Sequence, residues 1–170
     1  MNMVGIYQTK SLGSGYSLLQ DAFLLSGVEL IESIPGGGGL VLILKGQEKD
    51  LQSLAVKAGA DSRYGFHLIR QHADSILQVL YSLNTSGLSE HFSVFETEDT
   101  VELFRVAEEA MNTGLSLVEI KLQRGSSVGR GHLILTGGDS EKFEVIRKNL
   151  KADARWSLIL NRSAKFDQLF

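Results

Sequence analysis

Four dispersed histidines, an acidic cluster, two adjacent serines, a glycine run and two arginines are the positions where chemistry would first be sought. His67, His72, His91 and His132 show no paired spacing and no carboxylate set beside them, so strand or surface histidines are expected rather than metal ligands. Glu96, Glu98, Asp99 and Glu102 open an amphipathic stretch, where carboxylates interact favourably with a helix N-terminus, and a capping role is expected of them. Ser126-Ser127 have no base nearby in sequence and no nucleophile-elbow pattern. Pro35 to Gly39 has the composition of a phosphate loop, but a strand-like run follows where such a loop needs a helix N-terminus. The absence of cysteine excludes disulfides, thiolate catalysis and Cys-ligated zinc or iron–sulfur centres supplied by this chain. No enzyme, metal or cofactor is expected. Asp21 and Glu108 are placed at equivalent helix positions on solvated faces or subunit contacts, with Arg105, Arg147 and Arg155 as candidate partners for such carboxylates between subunits.

The elements that would carry these residues follow from apolar periodicity. The 170 residues are 43% hydrophobic and 22% charged, which fits a packed globular protein and not a disordered one. A formal net charge of −3 with scattered Lys and Arg argues against a nucleic-acid groove. The first ten residues lack the apolar core of a signal peptide, and Leu40–Leu44 is far too short to span a bilayer, so a cytoplasmic protein with no membrane partner is expected. Met3–Tyr7 reads as a strand and Ser14–Leu25 as a helix with apolar spacing near 3.6. Val28–Ile34 and Leu40–Leu44 read as strands either side of a Pro35–Gly39 turn. Glu48–Ala58 reads as a second helix and His67–Ile69 as a last strand, giving β-α-β-β-α-β.

The second half repeats this order. Gly27-Val28-Glu29-Leu30-Ile31-Glu32 matches Gly114-Leu115-Ser116-Leu117-Val118-Glu119, each after an amphipathic helix, the second being Asp99–Asn112. Gly39–Gly46 matches Gly131–Gly138, which equates Leu44 with Thr136 and lengthens the intervening loop in the second copy. Leu51 and Phe143 take equivalent places on the second helix of each unit. Asp74–Leu83 reads as a connecting helix, and Asn84–Gly87 as a turn, dividing the chain into units 1–84 and 85–170. Trp156–Leu160 reads as the final strand, before an apolar tail ending in Phe166, Leu169 and Phe170 that is expected to pack on its own unit or on a neighbour. The fold class is therefore α+β, two tandem ferredoxin-like units with helices on one face of each sheet. Units this small bury a limited fraction of their surface alone, so association is expected to be part of the fold.

Val4-Gly5-Ile6, Asp21-Ala22, Val28–Glu32 leading into the glycine loop, Leu40–Gly46 before a helix, Gly138-Asp139 and the connector near 72–83 together resemble the duplicated-domain shell proteins of bacterial microcompartments, such as those of propanediol-utilisation compartments. The resemblance covers nearly the whole chain and rests on order and spacing more than on any one motif. It implies a homotrimer of six domains, a pseudo-hexagonal tile that meets other shell proteins at its edges. By position it assigns the pore lining to Ser33, Ile34, Pro35, Gly36, Gly37, Gly38 and Gly39 in the first copy and to the Gln123–Gly131 loop in the second, with Arg124, Ser126, Ser127 and Arg130. A bare glycine loop offers backbone N–H and C=O groups to small polar solutes, and the two arginines would add positive potential for anionic metabolites. Leu25 and Asn112 stand where such tiles usually carry an edge lysine, which puts sheet formation in question. Near Gly36, where some relatives place a cluster-binding cysteine, there is none. The rival readings are a ferredoxin-like regulatory protein that binds a small effector at a domain interface, and an enzyme of that fold.

Overall fold

A computed structural model describes residues 2–36, 39–59, 64–81, 89–124, 130–151 and 154–159. The first sheet is built from β1 (Asn2–Thr9), β2 (Glu29–Gly36), β3 (Gly39–Gln47) and β4 (Tyr64–Ile69), with α1 (Leu12–Phe23) and α2 (Glu48–Gly59) between them. After α3 (Ala73–Tyr81) come β5 (Phe92–Thr97), α4 (Thr100–Asn112), β6 (Ser116–Leu122), β7 (Gly131–Thr136), α5 (Ser140–Lys148) and β8 (Arg155–Ile159). Both sheets are antiparallel, in the orders β2-β3-β1-β4 and β6-β7-β5-β8, which is the ferredoxin-like arrangement. The class is α+β.

The ladders agree residue by residue. Thr9 pairs with Leu40 and Thr97 with Gly131, while Gly5 pairs with Leu68 and Ser93 with Leu158. A β-bulge falls between Leu30 and Glu32 and again between Leu117 and Glu119. A bulge inserts one unpaired residue and re-aims the strand, so its recurrence at Ile31 and Val118 marks the same bend twice. Tyr7 lies against Phe66, ring centroids 4.9 Å apart, at the register where Phe95 lies against Trp156 at 6.2 Å.

Two expectations shift in detail. Leu30 pairs with Leu44 and Leu117 with Leu135, so Leu44 corresponds to Leu135 and not to Thr136, one residue away from the sequence match. Apolar alternation alone tolerates such a slip; the ladder does not. The first helix begins at Leu12 rather than Ser14, because Ser11 caps it, its hydroxyl accepting from the Ser14 N–H. Gly15, a poor helix former, is kept inside that helix by contact: a Cβ there would lie 2.4 Å from the Cβ of Leu40.

Layering decides which faces are covered. Leu18, Ala22, Leu51 and Leu54 of α1 and α2 pack with Tyr7, Leu42, Leu44 and Leu68 on one face of the first sheet. Val4, Ile6, Ile43 and Ile69 on its other face join Phe104, Val106 and Ala107 of α4, Ile76 of α3, and Phe95, Leu133, Leu135, Phe143 and Ile146 of the second half. Helix α4 therefore lies between the two sheets. The proposed boundary at 84/85 and the apolar tail beyond Leu160 fall outside the described residues.

Candidate functional site

The described pore candidates lie at the ends of the two β-hairpins, and a contact between Arg124 and Glu32 links one hairpin to the other. Ser33 is half-buried and pairs with Leu42, Ile34 is 2% exposed and pairs with Val41, and Pro35 is exposed and pairs with Leu40. Gly36 pairs with Gly39, so both belong to strands and the connection between them is residues 37–38 alone. Gly37, Gly38, Ser126 and Ser127 lie outside the described residues. Gly39 has no room for a side chain, since a Cβ there would sit 2.0 Å from the Thr9 carbonyl oxygen.

The arginines are both engaged. Arg124 reaches from the end of the second hairpin to Glu32 on β2 of the first sheet, and the Tyr81 hydroxyl donates to the other oxygen of Glu32 at 2.8 Å. Burial, then the hydrogen bond and charge of Glu32, pushes the Tyr81 hydroxyl above the usual phenol range. Arg130 pairs with Glu98 at 2.5 Å, and its carbonyl accepts from the Gln123 N–H at the mouth of the loop. Both guanidinium groups are more than half exposed, so these are solvent-screened pairs. They still compensate the positive charge that the sequence alone assigns to this end.

The acidic cluster separates into four roles. Asp99 alone caps α4, accepting from the Val101 and Glu102 N–H groups at 2.9 and 3.2 Å. Glu102, 1% exposed, takes a bidentate fork from Arg105 at 2.6 and 2.8 Å with Lys151 nearby; burial works to raise its carboxyl, but these cations outweigh it and hold it below the ordinary range. Glu98 is the partner of Arg130, and Glu96 points from β5 into solvent. Glu96, Glu98, Arg130 and Arg155 rim an open polar cleft of about 260 Å³ together with Thr97 and Gln123. Arg105 is thus bound on its own helix, and Arg147 pairs with Glu144 within α5.

The seam between the halves holds groups that composition did not single out. Glu108 on α4 accepts from His67 Nε2 at 2.8 Å and from the Arg70 and Gln71 N–H groups at 2.7 and 2.8 Å. Burial pushes its carboxyl up, and those three donors pull it further down, below the ordinary glutamate value. Gln8 on β1 accepts from the Thr100 N–H at 2.7 Å. Counting from the caps Ser11 and Asp99, the helical counterpart of Glu108 is Gln20, one position from the Asp21 expected. On the outer face of the second sheet Glu119 accepts from His132 at 2.8 Å and Lys121 at 3.0 Å; its carboxyl, raised by burial, is lowered more by these two. The only sequence signal for Glu32 and Glu119 was their shared place in the repeated strand.

The whole architecture has a solved counterpart. A microcompartments protein from Desulfitobacterium hafniense DCB superposes with a TM-score of 0.69 at 21% identity, over 99% of this chain and 99% of that one. At that identity the likeness is one of fold, and it runs through both sheets. A putative glycine cleavage system transcriptional repressor and the acetolactate synthase small subunit from Thermotoga maritima align with TM-scores of 0.32 and 0.31, at 13% and 14% identity, over 94% and 96% of this chain and 98% of each of theirs. No family model matches the chain. No curated protein matches it either. Among the described residues, no helix is long and apolar enough to cross a membrane.

Proposed function

We propose that the chain is a non-enzymatic shell protein of a bacterial microcompartment, two copies of one unit in tandem, acting as a homotrimer within a cytoplasmic shell. The observation that carries this reading is the repeated sheet: the same strand order, ladder register and bulge occur twice, and α4 of the second unit is seated on the first sheet. A head-to-tail contact of that kind is heterologous, and such contacts close into rings when the rotation permits. Three chains of two units each give a ring of six. The full-length likeness in fold to a microcompartments protein supports the same reading.

In that ring the hairpin ends, from Ser33 to Gly39 and from Gln123 to Gly131, line a passage of threefold chemistry for small polar or anionic metabolites. With Arg124 held by Glu32 and Arg130 by Glu98, the described part of this lining is nearly charge-compensated, so backbone groups at the glycine loop carry more of the selectivity than the arginines. Edge contacts with other shell proteins proceed without the usual lysine, Leu25 being half-buried and Asn112 exposed.

Light scattering with electron microscopy of the purified chain tests this. The expected result is a particle of three times the 18.6 kDa chain mass with a central depression. A monomer or dimer at every concentration overturns the trimer, and a dimer that binds a small effector replaces it with the regulatory reading.

A further inference from the structure

The seam inside the chain has two halves, and each half has a vacant counterpart elsewhere on the molecule. On the helix side, Phe104, five residues after the cap of α4, is fully buried, whereas Tyr16, five residues after the cap of α1, is 54% exposed. Leu12 and Phe23 on the same helix are also exposed. On the sheet side, Ile6 and Ile43 are fully buried beneath the second half, whereas Val94 and Ile134, at the same ladder registers, are partly open. Exposed apolar surface at the positions that a neighbour covers in the other copy marks an unfilled interface.

The polar contacts can be transferred by register. Gln8, which accepts from the first amide of α4, pairs with Gly65, and the second sheet places Glu96 opposite Arg155 at that register. Likewise His67, the partner of Glu108, corresponds to Ser157, since Ile6 pairs with the one and Val94 with the other. Against Gly65 presses Val101, whose Cγ2 would lie 3.1 Å from a Cβ placed there. The counterpart of Val101 on α1 is Gly13, with open space around it, and it would face the long side chain of Arg155. Bulk on the helix and none on the strand within the chain becomes none on the helix and bulk on the strand between chains. The polar cleft beside Glu96 and Arg155 lies at the register that Thr100 and Val101 fill on the first sheet. Helix α1 has no acidic residue in its first turn, while the Glu96 side chain has no hydrogen-bond or ion-pair partner among the described residues. A carboxylate favours a helix N-terminus.

We infer that the outer face of the second sheet receives α1 of a second copy of this chain, with Glu96 accepting the Leu12 N–H as Gln8 accepts that of Thr100, and Arg155 lying over Gly13. This rests on the shell reading and specifies its closing contact. The contact differs in kind from the one inside the chain. His67–Glu108 is replaced by an uncharged Ser157–Gln20 pair, and buried Ile34 and Val41 by Lys121 and His132 at the same registers. With Glu96, Arg155, Lys121 and His132 on the receiving face, assembly between copies is sensitive to ionic strength, whereas the join within the chain packs apolar side chains around the largely buried His67–Glu108 pair.

Sedimentation equilibrium and light scattering of the full chain at salt from about 50 to about 500 mM give the test. Glu96→Lys places a cation at a helix N-terminus and weakens association at least about tenfold at low salt, while Glu96→Gln, the side chain Gln8 uses, stays within about threefold of wild type at moderate salt. Gly13→Trp, at an exposed helix position, blocks docking with the circular dichroism spectrum and thermal midpoint of the dilute chain retained. An oligomeric wild type whose Glu96→Lys and Gly13→Trp variants associate unchanged overturns the inference and leaves the shell reading standing. A wild type that is monomeric at every concentration overturns both.

Discussion

Glu108 shows how one side chain ties the two halves together. It is a carboxylate held by one imidazole and two backbone N–H groups, all from the far half. Glu108→Ala leaves those donors without their acceptor and is expected to cost about 2–4 kcal/mol in chemical denaturation, with Glu108→Gln costing less because the amide oxygen still accepts. Its folded-state value lies below the ordinary 4.5, so the stability it contributes is fully present above roughly pH 4.5 and is lost as the pH falls through the lowered value. Denaturation midpoints measured between neutral pH and pH 3 should fall more steeply for wild type than for Glu108→Gln. Gly15→Ala is a second residue-scale test: the added methyl meets Leu40 at 2.4 Å, and a loss of about 1–3 kcal/mol is expected.

Helices α1 and α4 are the same element in two environments. Both carry an N-cap two residues after a threonine that ends the first strand of their sheet, and each has an aromatic residue five positions after the cap, Tyr16 and Phe104. Among the described residues, that aromatic position is covered on α4 and open on α1. Phe104→Ala should therefore destabilise the isolated chain by about 3–5 kcal/mol, while Tyr16→Ala should change it by less than about 0.5 kcal/mol. Urea titration of dilute protein distinguishes the two. An equal loss at both positions would mean that α1 is already covered within one chain.

At the scale of the molecule, one apolar cluster runs from the face of the first sheet through α4 to the second sheet and α5. The first half has a second cluster of its own against α1 and α2, but its other face and the core of the second half are one cluster joined through α4, so calorimetry should give a single transition with equal calorimetric and van't Hoff enthalpies. Two separated transitions would show that the halves fold independently and that the seam is weak.

Periodicity and repetition determined most of the architecture: each helix and strand expected from the apolar pattern is present, because buried faces impose their period on the sequence. The register of β7 and the start of α1 were decided in three dimensions, where a one-residue slip or a helix-internal glycine is judged by the partner strand. The histidines, glutamates and arginines were legible only as types. The Asp99 cap is local, reaching amides two and three residues on, but that Arg124 is taken by Glu32 and that Glu108 meets His67 depends on which elements the fold brings together across 40 or more residues. Sequence spacing carries no signal for such contacts. An α+β chain with a recurring strand pattern and no cysteine chemistry is legible in the order of its residues; which of the recurring surfaces are covered and which stay open emerges from folding, because burial is a property of packed faces and not of single residues.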